Sequence, residues 1–552
     1  MKKNISSKIF TKLTGSAGLL CLLLSTSCTK DFEEINSPYK DVSVATASPV
    51  ALFNQLSRRA TEEDYTLHIG VLMPFANQQG VQNVSVPYTN YISSYWNNYY
   101  RDLADYKLLV KLIDADVNPA AYNNLRAIST ILISSRTLSM LDRYGNIPYS
   151  NAGDASSDPS KYRPSYDSDQ SVYESVLNDL ATAVNSIKVG TTGADQVSLG
   201  GNESFLNNNY DSWVKFGNAL RLRYAVRLHA KNPALANPII TDIIGGSKPL
   251  PNVTTYADME EMRQNNYGNY PKIVVPQNPD YNDRLWYAFR EVSVSNIRLS
   301  SNVWNEISSS NADNGSGIFD PRTYVWFMPN NAGKWVPQPQ DKSVAEGSST
   351  LYPNTDANAP AAPNTLADNK FAGFNYYLVR DHTMLPYIII SEADVHLLKA
   401  EIYARGMGVA ADFAKANQEY QAGLTASVNF WYTYVASSTS GIWPSSKPTL
   451  AANAIANFLA HPKVTLVPGD NTGNLKKIVT QAWLTALWEQ PEAWAIARRT
   501  GLTPKAAGYN PQVFNKLPYP NDEETNNHDN WMKATNGANP DAQATQKVYW
   551  AP

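Results

Sequence analysis

The spacing of apolar residues along this chain is that of helices. Tyr173, Val176, Leu177, Leu180, Val184 and Ile187 recur at intervals of three and four, which places them on one helical face. Phe413, Ala416, Tyr420, Leu424, Val428 and Trp431 repeat the pattern. Leu125, Ile128, Leu132 and Leu141 belong to a third helix, bracketed by Pro119 and Gly145. Further helices are expected near 211–229, near 475–489 until Pro491 interrupts, and over 91–113, where Trp96, Tyr99 and Leu103 share a face. Ser391 with Asp394 reads as a capping-box start, and Gly406 as the matching stop. Strand signals are few; residues 272–275 and 387–390 are the best of them.

These helices fall in two blocks, about 45–232 and 390–500. The stretch between, about 233–389, is rich in Pro, Asn, Gly and Ser, as in Pro337-Gln-Pro-Gln340. Long irregular segments in compact proteins are usually functional. No exact repeat is present, but paired helices of similar length fit degenerate helical hairpins. The expected fold is therefore mostly α, a single domain over 45–552 with a large loop-rich portion.

The N-terminus changes the picture. Lys2, Lys3, Lys8 and Lys12 precede an apolar run over 13–24, the order of a secretory signal. That run is too short for a bilayer, which takes about 20 apolar residues. Ser25-Thr26-Ser27 then lead to Cys28, as in a bacterial lipobox. Of the two cysteines, Cys21 lies inside the apolar run, so the mature chain would hold one thiol and no disulfide framework. Residues 1–27 are read as a removed signal, Cys28 as the lipidated residue and 28–44 as a tether. Loss of the four lysines takes the formal charge from −3 to −7, and that acidic balance argues against a nucleic-acid partner.

Chemistry-bearing motifs are scarce. There is no phosphate-binding glycine loop, nucleophile elbow, H-E-x-x-H or zinc-type cysteine pair. Glu392 and His396 stand four apart on a helix, but two ligands do not make a metal site. Asp114-Ala-Asp116-Val-Asn118 begins like a calcium loop, then has Pro119 where glycine is needed and Leu125 where the closing Glu belongs. No cofactor, metal or catalytic residue is assigned. The surplus is aromatic: 33 Tyr, 13 Trp and 15 Phe. Tyr and Trp join a flat apolar body to a polar handle, which suits wet recognition surfaces.

Four stretches, in order, resemble signatures of the SusD/RagB family. They are Leu141-Asp-Arg-Tyr-Gly-Asn-Ile-Pro-Tyr149, Tyr173 to Leu180, Trp213 to Arg227, and Glu492 to Gly501 followed by Leu517-Pro-Tyr-Pro520 and Tyr549-Trp550. The group within it that the chain most resembles is the SusD-like starch-binding one. The resemblance implies tetratricopeptide-like helix pairs, an outer-membrane, cell-surface, lipid-anchored location, and an oligosaccharide ligand. It also implies a SusC-type TonB-dependent β-barrel as the partner that receives the ligand. Peptide capture, as in RagB-type relatives, is the alternative ligand class, and a secreted glycoside hydrolase a more distant one.

The motifs themselves read as packing. Trp213, Phe216, Leu220 and Tyr224 are expected in the core. Arg221, Arg223 and Arg227 are expected to pair with acids or carbonyls, and Arg498 and Arg499, beside Trp494, to anchor the C-terminal segment. The ligand candidates are loop residues instead. Tyr88, Tyr91, Trp286, Trp326 and Trp335 are the stacking candidates, with Gln82 and Asn83 as polar partners.

Overall fold

A computed structural model describes residues 47–59, 67–79, 90–155, 158–251 (except 194, 204 and 207), 274–275, 298–340 (except 331), 370–379, 387–438, 443, 446–505 and 514–552. The chain divides into Met1–Ser48 and Pro49–Pro552, and every element below belongs to the second unit. Among the described residues, the helices of eight or more are α1 (Pro49–Arg59), α2 (Asn90–Asp114), α3 (Asn123–Tyr144), α4 (Asp169–Ser186), α5 (Tyr210–Leu228), α6 (Pro233–Ile240), α7 (Glu392–Arg405), α8 (Phe413–Ser437), α9 (Asn471–Thr485), α10 (Gln490–Thr500) and α11 (His528–Thr535). The fold is mostly helical, as the periodicity predicts.

Local chemistry sets the helix ends. The Ser168 hydroxyl accepts from the Ser171 N–H at the start of α4, and Asn209 does the same for Ser212 at α5. At α7 the full capping box is present. Ser391 accepts from Asp394 N–H, Asp394 accepts from Ser391 N–H, and Gly406 at φ +67° closes the helix.

Consecutive helices fold back on one another. Asp412 N–H reaches the Tyr403 carbonyl, while Glu419 and Gly423 face His396 and Ala393, so α8 runs antiparallel to α7. α3 packs on α4, α5 on α6, and α9 on both α7 and α10. The face of α4 buries Tyr173, Val176, Leu177, Leu180 and Val184. On α8 the expected stripe is buried from Ala416 onward, but Phe413, the first helical residue, is exposed because it precedes the packed turns. Leu222, Ala225 and Val226 of α5 meet Ile240, Ile402 and Met407 in one apolar cluster.

Sheet is minimal. The two predicted strand signals pair with each other: β1 (Val274–Val275) runs antiparallel to β4 (Tyr387–Ile388). Between them in sequence, β2 (Phe327–Met328) pairs antiparallel with β3 (Gly373–Phe374). α6 carries regular helix past 232, and a short helix, Ser301–Ile307, stands within the loop-rich portion. No helix among the described residues is long and apolar enough to cross a membrane.

Candidate functional site

Two of the buried charged centres among the described residues join distant elements, and one of them roots an exposed ring. The first is inside the helical scaffold. Arg227 of α5 pairs with Asp142 of α3 and Glu492 of α10. One turn earlier, Arg223 reaches Asp394 at 3.2 Å, Glu489 at 3.3 Å and Glu492 at 3.4 Å. Trp550 Nε1 donates to Asp142 Oδ1 (2.6 Å), and Arg498 donates to the Asp142 and Asn515 carbonyls while lying 3.5 Å above the Trp494 ring. Arg499 instead grips Glu401 of α7 with both terminal nitrogens (2.6 and 2.7 Å). Burial pushes the Glu492 carboxyl up, but Arg223 and Arg227 outweigh it and hold the pKa at about 2. Burial, with Asp394 beside it, drives Glu489 the other way, well above the carboxylate range. A cavity of about 70 Å³ lies among these groups. Its charges answer one another across four helices, α3, α5, α7 and α10, so the network holds the fold together. The perturbed pKa of Glu489 follows from burial and does not mark an open cleft.

The second centre roots the loop-rich portion. Arg322 and Asp320 are both 0% exposed and paired at 2.6 Å. Arg322 also donates to Ser427 Oγ of α8 (3.1 Å) and to Thr485 Oγ1 and Gln481 Oε1 of α9 (3.0 and 2.6 Å). Next to it, Tyr432 Oη donates to the Pro321 carbonyl (2.8 Å).

The helical turn Thr323–Trp326 follows. It sends Trp326 inward, 0% exposed, edge-on to Trp431 at 6.1 Å, and Tyr324 outward, 45% exposed. The Tyr324 ring stands at 90° to Trp335, 6.0 Å away, and Trp335 in turn stacks on Trp304.

Backbone pairing fixes this small platform. Gln338 N–H reaches the Leu299 carbonyl, Leu299 N–H the Ala372 carbonyl, and Ala372 N–H the Val336 carbonyl. Trp335 N–H donates to the Asp313 carbonyl (2.7 Å), which ties the 308–318 loop beside the ring. Gly315 in that loop has φ +78°, and a Cβ there would sit 2.8 Å from Trp335 Cδ1, so the backbone lies directly on the indole. Asp313 and Lys334, half-exposed and 3.2 Å apart, stand at the edge. A ring 45% exposed, with an exposed carboxylate and ammonium on the segments that flank Trp335, can take a C–H face by stacking and a hydroxyl edge by hydrogen bonds.

Of the sequence candidates, Gln82, Asn83, Tyr88, Trp286 and Cys28 lie outside the described residues, and Tyr91 stands on the first turn of α2 with its side chain outside the description. Trp335 belongs to the platform, 8% exposed, and contributes the wall of the ring cluster. Trp326 is a core residue with no face open to a ligand in this conformation. Tyr324, two residues away, is the exposed ring of the same turn, and no periodicity in the surrounding sequence distinguishes it from Trp326. Glu392 and His396 do share a face, but it is packed: His396 Nδ1 lies 2.6 Å from Glu419 of α8. Asp114 pairs with Arg126, and Asp116 accepts from Asn118 N–H, so the calcium-like run is a turn among ion pairs.

Comparison with known proteins agrees with this architecture. The chain belongs to the SusD-like family described as starch-binding and associating with the outer membrane, whose sequence model matches residues 36–520. It is a SusD-like binding protein, and on the ground of that family not an enzyme. Among solved structures it is similar to a chitin-binding protein (TM-score 0.65, 21% identity, 91% of this chain and 100% of that one). A SusD homologue from Parabacteroides distasonis superposes at TM-score 0.66 with 18% identity, covering 92% and 98%. A chitin-binding SusD homologue from Flavobacterium johnsoniae gives 0.57 with 20% identity, covering 91% and 97%. No curated protein matches the chain.

Proposed function

We propose that this protein captures glycan at the cell surface on the face formed by Tyr324 and Trp335 and passes it to a SusC-type TonB-dependent β-barrel. The observation that carries the reading is the outward ring of Tyr324, braced at right angles by Trp335 and edged by Asp313 and Lys334. Family membership and the chitin-binding names of two structural relatives support a sugar ligand. Acylation of Cys28 would hold the protein on the outer membrane with which its family is associated. A peptide ligand would call for open charged groups. The large charged centre of this protein is instead closed on itself, and the two exposed charges at the ring, Asp313 and Lys334, are paired with each other, which favours sugar.

Titration calorimetry of residues 29–552 with malto- and chito-oligosaccharides tests this, with released product assayed in the same samples. Saturable binding without product, abolished by Tyr324→Ala, is the expected result. Product formation, or binding untouched by that substitution, would overturn the reading. Co-purification with the barrel, lost on Cys28→Ala in cells but kept with detergent-solubilised partners, tests the anchor separately.

A further inference from the structure

Tyr324 is held in place from below, by a residue that no sugar touches. The turn that presents it has one deep root, Arg322. That guanidinium uses Nε and Nη2 on Asp320, Nη2 on Gln481 and Nη1 on both Ser427 and Thr485. Its planar face also lies 4.8 Å from Trp326 and 5.4 Å from Phe458. The backbone follows the side chain: Arg322 N–H donates to Asp320 Oδ1, and the N–H groups of Val325 and Trp326 return to the Arg322 carbonyl. The guanidinium thus sets where the turn sits on α8 and α9, and Tyr324 is in the middle of that turn. On the far side, Asn375 Nδ2 donates to the Val325 carbonyl and Asn375 N–H to the Trp326 carbonyl, so the turn's C-terminal end is fixed to β3. At its N-terminal end the Thr323 and Tyr324 N–H groups return to the Asp320 and Pro321 carbonyls, and the Arg322 fan and Tyr432 tie that segment to α8 and α9.

We propose that Arg322 is a positioning residue for ligand binding: by fanning across Ser427, Gln481 and Thr485 it holds Tyr324 at its angle to Trp335, and so sets affinity as well as stability. This rests on the reading of Tyr324 as part of the binding face. An ammonium cannot replace the fan, since lysine presents its donors from one point.

The test uses the acceptors, each of which can be altered without touching the loop. Thr485→Val is isosteric and removes one acceptor; Thr485→Ser keeps it; Ser427→Ala removes the other hydroxyl. Each is compared with the unaltered protein by calorimetry against maltoheptaose and chitohexaose, by thermal melting, and by hydrogen exchange of the amides of residues 322–326. Thr485→Val and Ser427→Ala are expected to weaken sugar binding about three- to tenfold, less than the full loss of a charge-assisted hydrogen bond because the lost contact acts on the sugar only through Tyr324. They should also speed exchange in 322–326 with little change in α5, while Thr485→Ser behaves as the unaltered protein. A fall in melting temperature with sugar affinity and local exchange both unchanged would make Arg322 a structural residue only and overturn the proposal. If Tyr324→Ala leaves affinity unchanged as well, the binding-face reading fails and takes this inference with it. Unchanged exchange at 322–326 in Thr485→Val sinks the positioning role whether or not either sugar binds.

Discussion

The scaffold and the platform both bury an arginine–carboxylate centre, yet they are built on opposite plans. In the scaffold, Arg223, Arg227, Arg498 and Arg499 share Asp142, Asp394, Glu401, Glu489 and Glu492, so every charge has several neighbours. In the platform, the turn that carries Tyr324 is rooted by one pair, Arg322 with Asp320, together with backbone pairings and neutral side-chain hydrogen bonds. Redundant ionic contacts suit a framework that must not move. A single root suits a surface whose exposed residue is free of structural duty. Substitutions in the scaffold should therefore cost stability, and substitutions at the open ring should cost binding.

The largest effect is expected from Arg227→Met. It strands Asp142 and Glu492 in the core and should destabilise the fold by about 3–5 kcal/mol, read from urea unfolding. A loss under about 1 kcal/mol would mean that the neighbouring arginines absorb the change, and the contrast with the platform would sharpen.

Acid should attack the same framework. Burial raises the Glu492 and Glu401 carboxyls, but Arg223 and Arg499 respectively overcome it and hold each pKa at about 2 against an ordinary 4.5. Carboxyls depressed on folding contribute stability above the ordinary value and lose it as pH falls toward the folded one. The acid limb should therefore run from about pH 4.5 down toward 2, and Glu401→Gln should shrink it. An unchanged limb in that variant would place the acid sensitivity elsewhere.

Where α7 and α8 cross at Gly423, an added methyl would meet Leu397 Cγ at 3.0 Å and the Ala393 carbonyl at 3.1 Å. Gly423→Ala should cost about 1–3 kcal/mol through overpacking, even though it raises helix propensity. Ser391→Ala, which opens the capping box of α7, should cost about 1 kcal/mol in the same assay. The smallest stability effect belongs to Tyr324→Ala, within about 0.5 kcal/mol. If that variant instead melts early, the ring is structural and the division between the two regions breaks down.

Most of the scaffold could be read from the chain. Ser391, Asp394 and Gly406 mark the ends of α7, Pro119 and Gly145 bracket α3, and the apolar spacing of α4 gives its buried face. The core roles of Trp213, Phe216 and Leu220, and the pairing of Arg221, Arg223 and Arg227, follow from helical spacing as well. Such features are local, and three- and four-residue periods carry them. The platform was harder to read, because its order comes from distant partners. Asp320-Pro-Arg322 looks like any polar loop until α8 and α9 enclose it. Trp326 looks like a better ligand platform than Tyr324 until the turn assigns one inward and one outward. The strand signals at 272–275 and 387–390 were visible singly, but their pairing spans more than a hundred residues and left no mark in either.

The turn Thr323–Trp326 also bears on how such a protein diversifies. Neighbours two apart on it face different worlds. Position 326 answers to the packing of Trp431 and the Arg322 guanidinium, while position 324 answers to the solvent and whatever it carries. If Tyr324 meets the ligand as proposed, the outer residue can change in a single mutational step with no compensating change beneath, and the frame need not be rebuilt for a different ligand.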